Sequence, residues 1–359
     1  MSEPKVRLGV IGCGVIGKHH MQAAREADRV ELAGVTDLDL ETARLAAEHY
    51  GADKVYGTPE QLIEDPGIDA VVLAVPTNVR LALALHALRC GKDILVEKPV
   101  AMKEEELHRL AAAQGNRTIA FCSSRFRFLE HAAAAARWIE EGHLGDIRLV
   151  RCRVNQPAGR KPEAPLPTWR VHRSINGGGI VANWGTYDLD YLLGLTGWTL
   201  KPRYVLGNAW GISESIADYW PAGADSESHG AMYIQCESGA VLAYERGEYM
   251  AAPREESWQI IGSAGSVTLK MTWPSEKIIV GTTLDPDGGA VTRTIWEGTE
   301  DDALIHSGPV FDFAGAILDN RPPATGLKEA LVIQRIMDAF YRSAATGGPV
   351  AIQEEREAV

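Results

Sequence analysis

Cysteine is scarce in this chain, and what there is does not pair. Cys13, Cys90, Cys122, Cys152 and Cys236 are odd in number, widely spaced and form no C-x-x-C. That pattern argues against a disulfide framework and points to reduced thiols in the cytoplasm. Aromatic residues make up only 7% of the chain. No apolar run approaches the ~20 residues a membrane span needs. The opening MSEPK has no apolar signal region. Basic charge is also lacking: the formal net charge is −12. That excess of acid disfavours nucleic acid and anionic membrane surfaces as partners. His19-His20 are adjacent and not at a ligand spacing such as H-x-x-x-H, so no metal site is expected. What remains, at 45% hydrophobic and 23% charged over 359 residues, is an ordinary globular composition. The length suggests about two domains.

The informative stretch is VRLGVIGCGVIGKHH, residues 6 to 20. Val6 to Ile11 is a short apolar run and reads as a buried strand. Gly12, Gly14 and Gly17, with Val15 and Ile16 between the last two, spell G-x-G-x-x-G. A helical pattern is expected from Lys18. Strand, glycine turn and helix in that order suit a dinucleotide. The first glycine turns tightly, the second lets backbone approach a pyrophosphate, and the third lets helix pack on strand. Cys13 inside the loop is expected to fill a small space. A second strand, Val30 to Thr36, ends at Asp37. An acid there accepts from ribose hydroxyls and repels a 2′-phosphate, which favours NAD over NADP. Capping of the next helix is the competing role for Asp37, and Asp39 could fill that equally well.

The alternation continues. Asp69 to Val75 reads as a buried parallel strand, with Pro76-Thr77-Asn78 at its C-terminal end, where open α/β sheets bind ligands. Asn78 is expected to cap the following helix. Lys92 to Val96 is the next strand, and Glu97-Lys98-Pro99 follows it. Pro99 biases Lys98 toward extended backbone, which suits a lysine projecting toward a cofactor crevice.

These motifs together resemble the Gfo/Idh/MocA oxidoreductases. Further features fit along nearly the whole chain: Arg127-Phe128, Gly177-Gly178-Gly179, the turn Ile260 to Ser266, Asp312-Phe313 and Gly347 to Val350. The resemblance implies an α/β Rossmann domain with a parallel doubly wound sheet, here 1–122. It also implies an α+β domain with a large open, mostly antiparallel sheet, here 123–359, whose late helices pack back across the sheet. It implies NAD as cofactor, held by Gly12, Gly14, Val15, Ile16, Gly17, Asp37, Pro76, Asn78, Glu97 and Lys98. A sugar, sugar derivative or inositol is the implied substrate, with homo-oligomers formed through the second sheet.

The departure lies in GGGIVANWGTYDLDYLL, Gly177 to Leu193. Many members carry aspartate, histidine and aspartate where this chain has Asn183, Tyr187 and Asp190. Tyrosine can still carry a proton, since a nearby cation favours the phenolate. The implied catalytic pair is therefore Lys98 and Tyr187. Asn183, Asp190, Arg127, Trp169 and Arg170 are candidate substrate contacts. For Arg127 an interdomain salt bridge, and for Trp169 surface packing, are the competing roles. Two other functions fit the same pattern: a glycosidase or lyase that oxidises its sugar transiently and retains its NAD, and a non-catalytic sensor of NAD or sugar.

Overall fold

The computed structural model describes residues 4–164 and 166–352. Pro165 of the proline-rich 156–176 loop and the first three residues of MSEPK lie outside the described residues. The chain divides into two compact units: residues up to Phe128 with Asp302–Leu331, and Leu129–Asp301 with residues from Val332 on.

The first unit runs β1 (Val6–Ile11), α1 (Val15–Glu26), β2 (Val30–Thr36), α2 (Leu40–Tyr50), β3 (Lys54–Val55), α3 (Pro59–Glu64), β4 (Ala70–Leu73), α4 (Thr77–Arg89), β5 (Asp93–Val96), α5 (Glu104–Ala113) and β6 (Ile119–Phe121). A 3₁₀ turn, Cys122–Phe128, follows. The six strands pair in parallel in the order β3-β2-β1-β4-β5-β6. A parallel sheet covered on both faces needs apolar strands, and β4 and β5 are buried throughout. Strand order reverses between β1 and β4, so the turns after these two strands open beside each other at the switch point. α1 begins at Val15, earlier than the Lys18 expected from sequence, because Gly14 already serves as its extended N-cap. The Lys18 N–H accordingly bonds the Gly14 carbonyl at 3.0 Å.

The second unit runs α6 (Glu130–Glu140), β7 (Ile147–Pro157), α7 (Thr168–Val171), α8 (Arg173–Asn176), a π turn (Val181–Gly185), α9 (Thr186–Leu195), β8 (Pro202–Trp210), β9 (His229–Cys236), β10 (Val241–Met250), β11 (Glu255–Gly262), β12 (Gly265–Leu269), β13 (Glu276–Asp285) and β14 (Gly289–Thr299). α10 (Leu304–Leu318), α11 (Leu327–Thr346) and β15 (Val350–Ala351) complete the chain. Nine strands form one sheet, β14-β13-β12-β11-β7-β10-β9-β8-β15. Only β7 and β10 pair in parallel; the other neighbours are antiparallel. On β7, Val150, Cys152 and Val154 are buried while Arg151 and Arg153 face out, which is the period of two in the sequence.

α10 and the first residues of α11 depart from the expected division, whereas α11 from Val332 on lies in the second unit. Val310, Phe313 and Ala314 of α10 join the apolar cluster of Val6, Leu8, Val10 and Met21 in the first unit. The 302–331 segment, expected with 123–359, therefore packs on the parallel sheet. Its apolar positions match the faces of α1 and β1, a preference that sequence order cannot reveal. Among the described residues, no helix is long and apolar enough to cross a membrane.

Candidate active site

The first unit supplies a cradle after β1. Gly12 has φ +98°, and a Cβ there would lie 2.5 Å from the Ala74 carbonyl oxygen. A Cβ on Gly17 would lie 1.9 Å from the Gly12 carbonyl oxygen. Both positions must therefore be glycine: one for the turn, one for the helix to close on it. Gly14 differs, because a Cβ there would meet nothing. No side chain caps α1 and no acid sits in its first turn. Val15 beside it is 80% exposed. An open loop over an uncapped helix N-terminus has main-chain N–H groups to offer an anion. These residues fit a dinucleotide pyrophosphate.

Asp37 stands at the end of β2. Its carboxylate accepts from the Cys13 N–H at 2.7 Å and from the Asp39 N–H at 3.0 Å. Asp37 thus ties the second turn to the glycine loop. Asp39 caps α2, accepting from the Glu41 N–H and the Thr42 hydroxyl, so the capping role considered for Asp37 falls to Asp39. Burial, helped by the Asp37 charge, pushes the Cys13 thiol up to about 12; it fills space and stays protonated. Pro76 is the N-cap of α4, with no side-chain cap. Asn78 lies inside the first helical turn and is exposed, so the expected cap at Asn78 is not made. The helix starts two residues earlier than that cap implies, at Thr77.

Beyond β5, Glu97 is buried. It accepts from the Nη2 of Arg125, pairs with His20 Nε2 at 2.9 Å, and takes the Lys98 N–H at 3.0 Å. Burial alone would raise this carboxyl, but Arg125 and then His20 outweigh it and hold it well below the usual carboxylate range. Lys98 is half-buried at the strand end. His20, Glu97 and Cys122 bring one ligand atom each within 4.8 Å of one another. The Arg125 cation on the same carboxylate opposes a metal ion there. Arg125 also reaches His306, whose ring stacks on His19 at 3.9 Å. Burial first, then Arg125, lowers His306 to about 3. Arg127 donates to the Ala324 carbonyl at 2.7 Å and to the Thr325 hydroxyl. These bonds tie the 3₁₀ turn to the 302–331 segment within the same unit.

In the second unit, Asn183, Tyr187 and Asp190 share one helical run. Asn183 sits in the π turn and the other two in α9. A plain α-helix with a four-residue spacing was expected, and the π turn widens it, as such turns do at functional positions. Asn183 is 6%, Tyr187 4% and Asp190 0% exposed, so all three face the interior of their unit. The Tyr187 ring meets the Trp184 ring edge-on at 5.6 Å, and Arg246 lies over Trp184 at 4.7 Å. Asp188, the neighbouring acid, is bound by Arg246, Tyr244 and Trp258 and is committed to the fold. Trp169 is 43% exposed on α7. Arg170 pairs with Glu248 at 2.6 Å.

Three neighbours of these residues have weak sequence signals. Glu227 starts the helical run: its carboxylate accepts from the Gly179 and Val181 N–H groups and the Tyr341 hydroxyl. Nothing in SES, residues 226 to 228, announces that. Arg246 has no local signal. Arg80 has a faint one, a lone charge in the helix start before Leu81-Ala82-Leu83.

Two family models match the chain: the oxidoreductase family with NAD-binding Rossmann fold over residues 6–121, and the GFO/IDH/MocA C-terminal domain over residues 132–268. The chain belongs to the Gfo/Idh/MocA family. It is an NAD-dependent oxidoreductase with the two-sheet fold of that family. Myo-inositol 2-dehydrogenase of Thermotoga maritima is 24% identical, covering 73% of this chain and 74% of that one. Levoglucosan dehydrogenase of Pseudarthrobacter phenanthrenivorans is 25% identical, covering 96% and 91%. A solved levoglucosan dehydrogenase complex with NADH and levoglucosan superposes with a TM-score of 0.85 at 23% identity, covering 98% of this chain and 100% of that one. This last likeness is one of fold.

The open space at Gly14 yields a prediction for this Gfo/Idh/MocA loop. Gly14→Ala should leave the thermal midpoint unchanged, since its methyl meets no protein atom. It should weaken NAD about tenfold, or about 1.4 kcal/mol, because the methyl occupies the approach to the pyrophosphate. Calorimetric titration with NAD checks this; unchanged affinity would place the pyrophosphate elsewhere.

Proposed function

We propose that this chain is an NAD-dependent dehydrogenase of a sugar, sugar derivative or inositol. It moves a hydride between a carbinol carbon and the nicotinamide. The observation that carries the reading is Lys98 at the end of β5, held by Glu97 in the same unit as the glycine cradle. Relatives named as a myo-inositol dehydrogenase and a levoglucosan dehydrogenase support the substrate class.

The nicotinamide, when bound, supplies the hydride acceptor or donor. The proton is the protein's task. An alcohol losing hydride must lose its hydroxyl proton to a base. Tyr187 takes that proton as phenolate and returns it in the reverse direction. Its unperturbed pKa near ~10 falls when a cation stands close by, and Lys98 is the cation proposed for this. Lys98 also donates to the substrate oxygen. Asn183 binds a substrate hydroxyl, since it donates and accepts but is no base. Asp190, Trp169 and Arg170 complete the proposed substrate contacts. Gly12, Gly14, Val15, Ile16, Gly17, Asp37, Pro76 and Asn78 are the proposed cofactor contacts. Glu97 is proposed to act through the Lys98 main chain. The domain with Gly12 to Lys98 binds NAD; the domain with the nine-stranded sheet binds substrate. Free cysteines suit a reducing compartment, proposed as the cytoplasm.

Absorbance of the reduced nicotinamide, followed with NAD against pyranoses, glycosides, inositols and sugar acids, tests the reading. Lys98→Ala and Tyr187→Phe should each lower kcat about 10²–10⁴-fold on the fastest substrate. A flat trace with NAD bound would point instead to the retained-NAD enzyme or the sensor.

The nine-stranded sheet is proposed to carry a homo-oligomer contact. Leu206 on β8 and Tyr233 on β9 are 50% and 62% exposed, and Trp210 is 45% exposed. Exposed aromatic and aliphatic groups on one sheet face mark an interaction surface. Light scattering should give a mass above the 38.9 kDa of one chain, falling to that value in a Leu206→Glu, Tyr233→Glu double variant. A wild-type mass of one chain would remove the proposal.

A further inference from the structure

Arg80 lies in the first turn of α4 and is 8% exposed. Its guanidinium is spent on main-chain carbonyls. Nε donates to Val75 at 2.7 Å, just beyond β4. Nη1 donates to Pro99 at 2.6 Å and to Glu97. Nη2 donates to Lys98 at 3.0 Å. Three consecutive carbonyls of Glu97-Lys98-Pro99 thus share one rigid fork with the end of the neighbouring strand. The Lys98 N–H is taken by the Glu97 carboxylate at 3.0 Å. Both main-chain polar groups of Lys98 are therefore fixed, one by Arg80 and one by Glu97.

We propose that Arg80 is a positioning residue for Lys98, holding the Glu97–Pro99 main chain so that the lysine amine is presented from a fixed strand end. The proposal rests on the reading of Lys98 as a group acting at the reacting oxygen. The physical need is clear. A lysine amine hangs on four flexible carbons, so its aim is set by what fixes the Cα. Planar arginine offers five donors in a fork. Lysine in its place offers a point charge on a mobile stem and cannot span Val75 and three successive carbonyls at once. A role confined to filling and satisfying the turn would stabilise the fold without bearing on the Lys98 amine.

The test uses the full chain with NAD and compares wild type with Arg80→Lys and Arg80→Gln. Competitive labelling of lysine amines with acetic anhydride, read by peptide mass spectrometry, reports each lysine separately. Lys98 labelling should rise severalfold in both variants. Lys92, whose amine is buried on the Asp65 and Ile68 carbonyls, and Lys103, paired at the surface with Glu105, should label as in wild type. Unchanged Lys98 labelling would overturn the proposal. A parallel rise at Lys92 would also overturn it, since it would mean Arg80 holds the unit together rather than the turn. A rate cycle separates the two readings. Arg80→Lys should cost about 10²-fold in kcat when Lys98 is present, the scale of a misplaced catalytic group. It should cost little more in a Lys98→Ala background. Equal losses in both backgrounds would contradict action through Lys98. A Lys98→Ala enzyme with wild-type kcat would instead sink the role of Lys98 itself, while the labelling still decides whether Arg80 governs its amine.

Discussion

A buried carboxylate holds the first unit's functional end together. Glu97 is 2% exposed, and a lone charge so placed would cost several kcal/mol. It is tolerated because Arg125, His20 and the Lys98 N–H all meet it. Each partner comes from a different piece of chain: Arg125 from the 3₁₀ turn, His20 from α1, Lys98 from the end of β5 itself. One charge thereby registers the helix that opens on the glycine loop against the strand end that carries the lysine. Removing a single partner from such a cluster costs about 3–5 kcal/mol, which makes the arrangement close to all-or-none. Arg125 on the carboxylate opposes a second positive charge at the His20–Glu97–Cys122 grouping.

The second unit solves its own positioning problem with two further buried acids. Glu227 meets the N–H groups of Gly179 and Val181 and so stands where a cap would, at the positive end of the run that carries Asn183 and Tyr187. The glycines before it are forced by contact: a Cβ at Gly179 would lie 1.9 Å from the Glu227 carbonyl oxygen. Asp188 anchors the same run from beneath through a two-point pairing with Arg246. The geometry of such a fork is specific, so it fixes the rotation of the helix as well as its depth. Tyr187 and Asp190 consequently sit buried within that run.

Much of this was legible in the chain because local chemistry demanded it. The glycine spacing, the apolar parallel strands and the acid after β2 each follow from short-range constraints. So did the replacement of Asp and His by Asn183 and Tyr187, visible because flanking Gly177 to Gly179 fixes the register. What stayed hidden depends on long-range partners. Arg80, Glu227 and Arg246 take their meaning from carbonyls or acids that the fold brings near. Arg127 bonds the Ala324 carbonyl and the Thr325 hydroxyl, partners far along the chain. The π turn is invisible to a helical period over so few residues. Strands such as β14, exposed along much of both faces, lack the clean alternation that marks β7. Packing of the 302–331 segment on the parallel sheet is a matter of matching surfaces, which no sequence interval encodes.

Transfer of hydrogen from substrate carbon to cofactor is the decisive event. Wild-type enzyme would be incubated with NAD and a panel of sugars and inositols deuterated on their carbinol carbons, and the cofactor examined by mass spectrometry. Direct hydride transfer predicts reduced cofactor one deuterium heavier for at least one member of the panel. Bound cofactor that never gains deuterium from any of them would contradict the assignment as a sugar or polyol dehydrogenase.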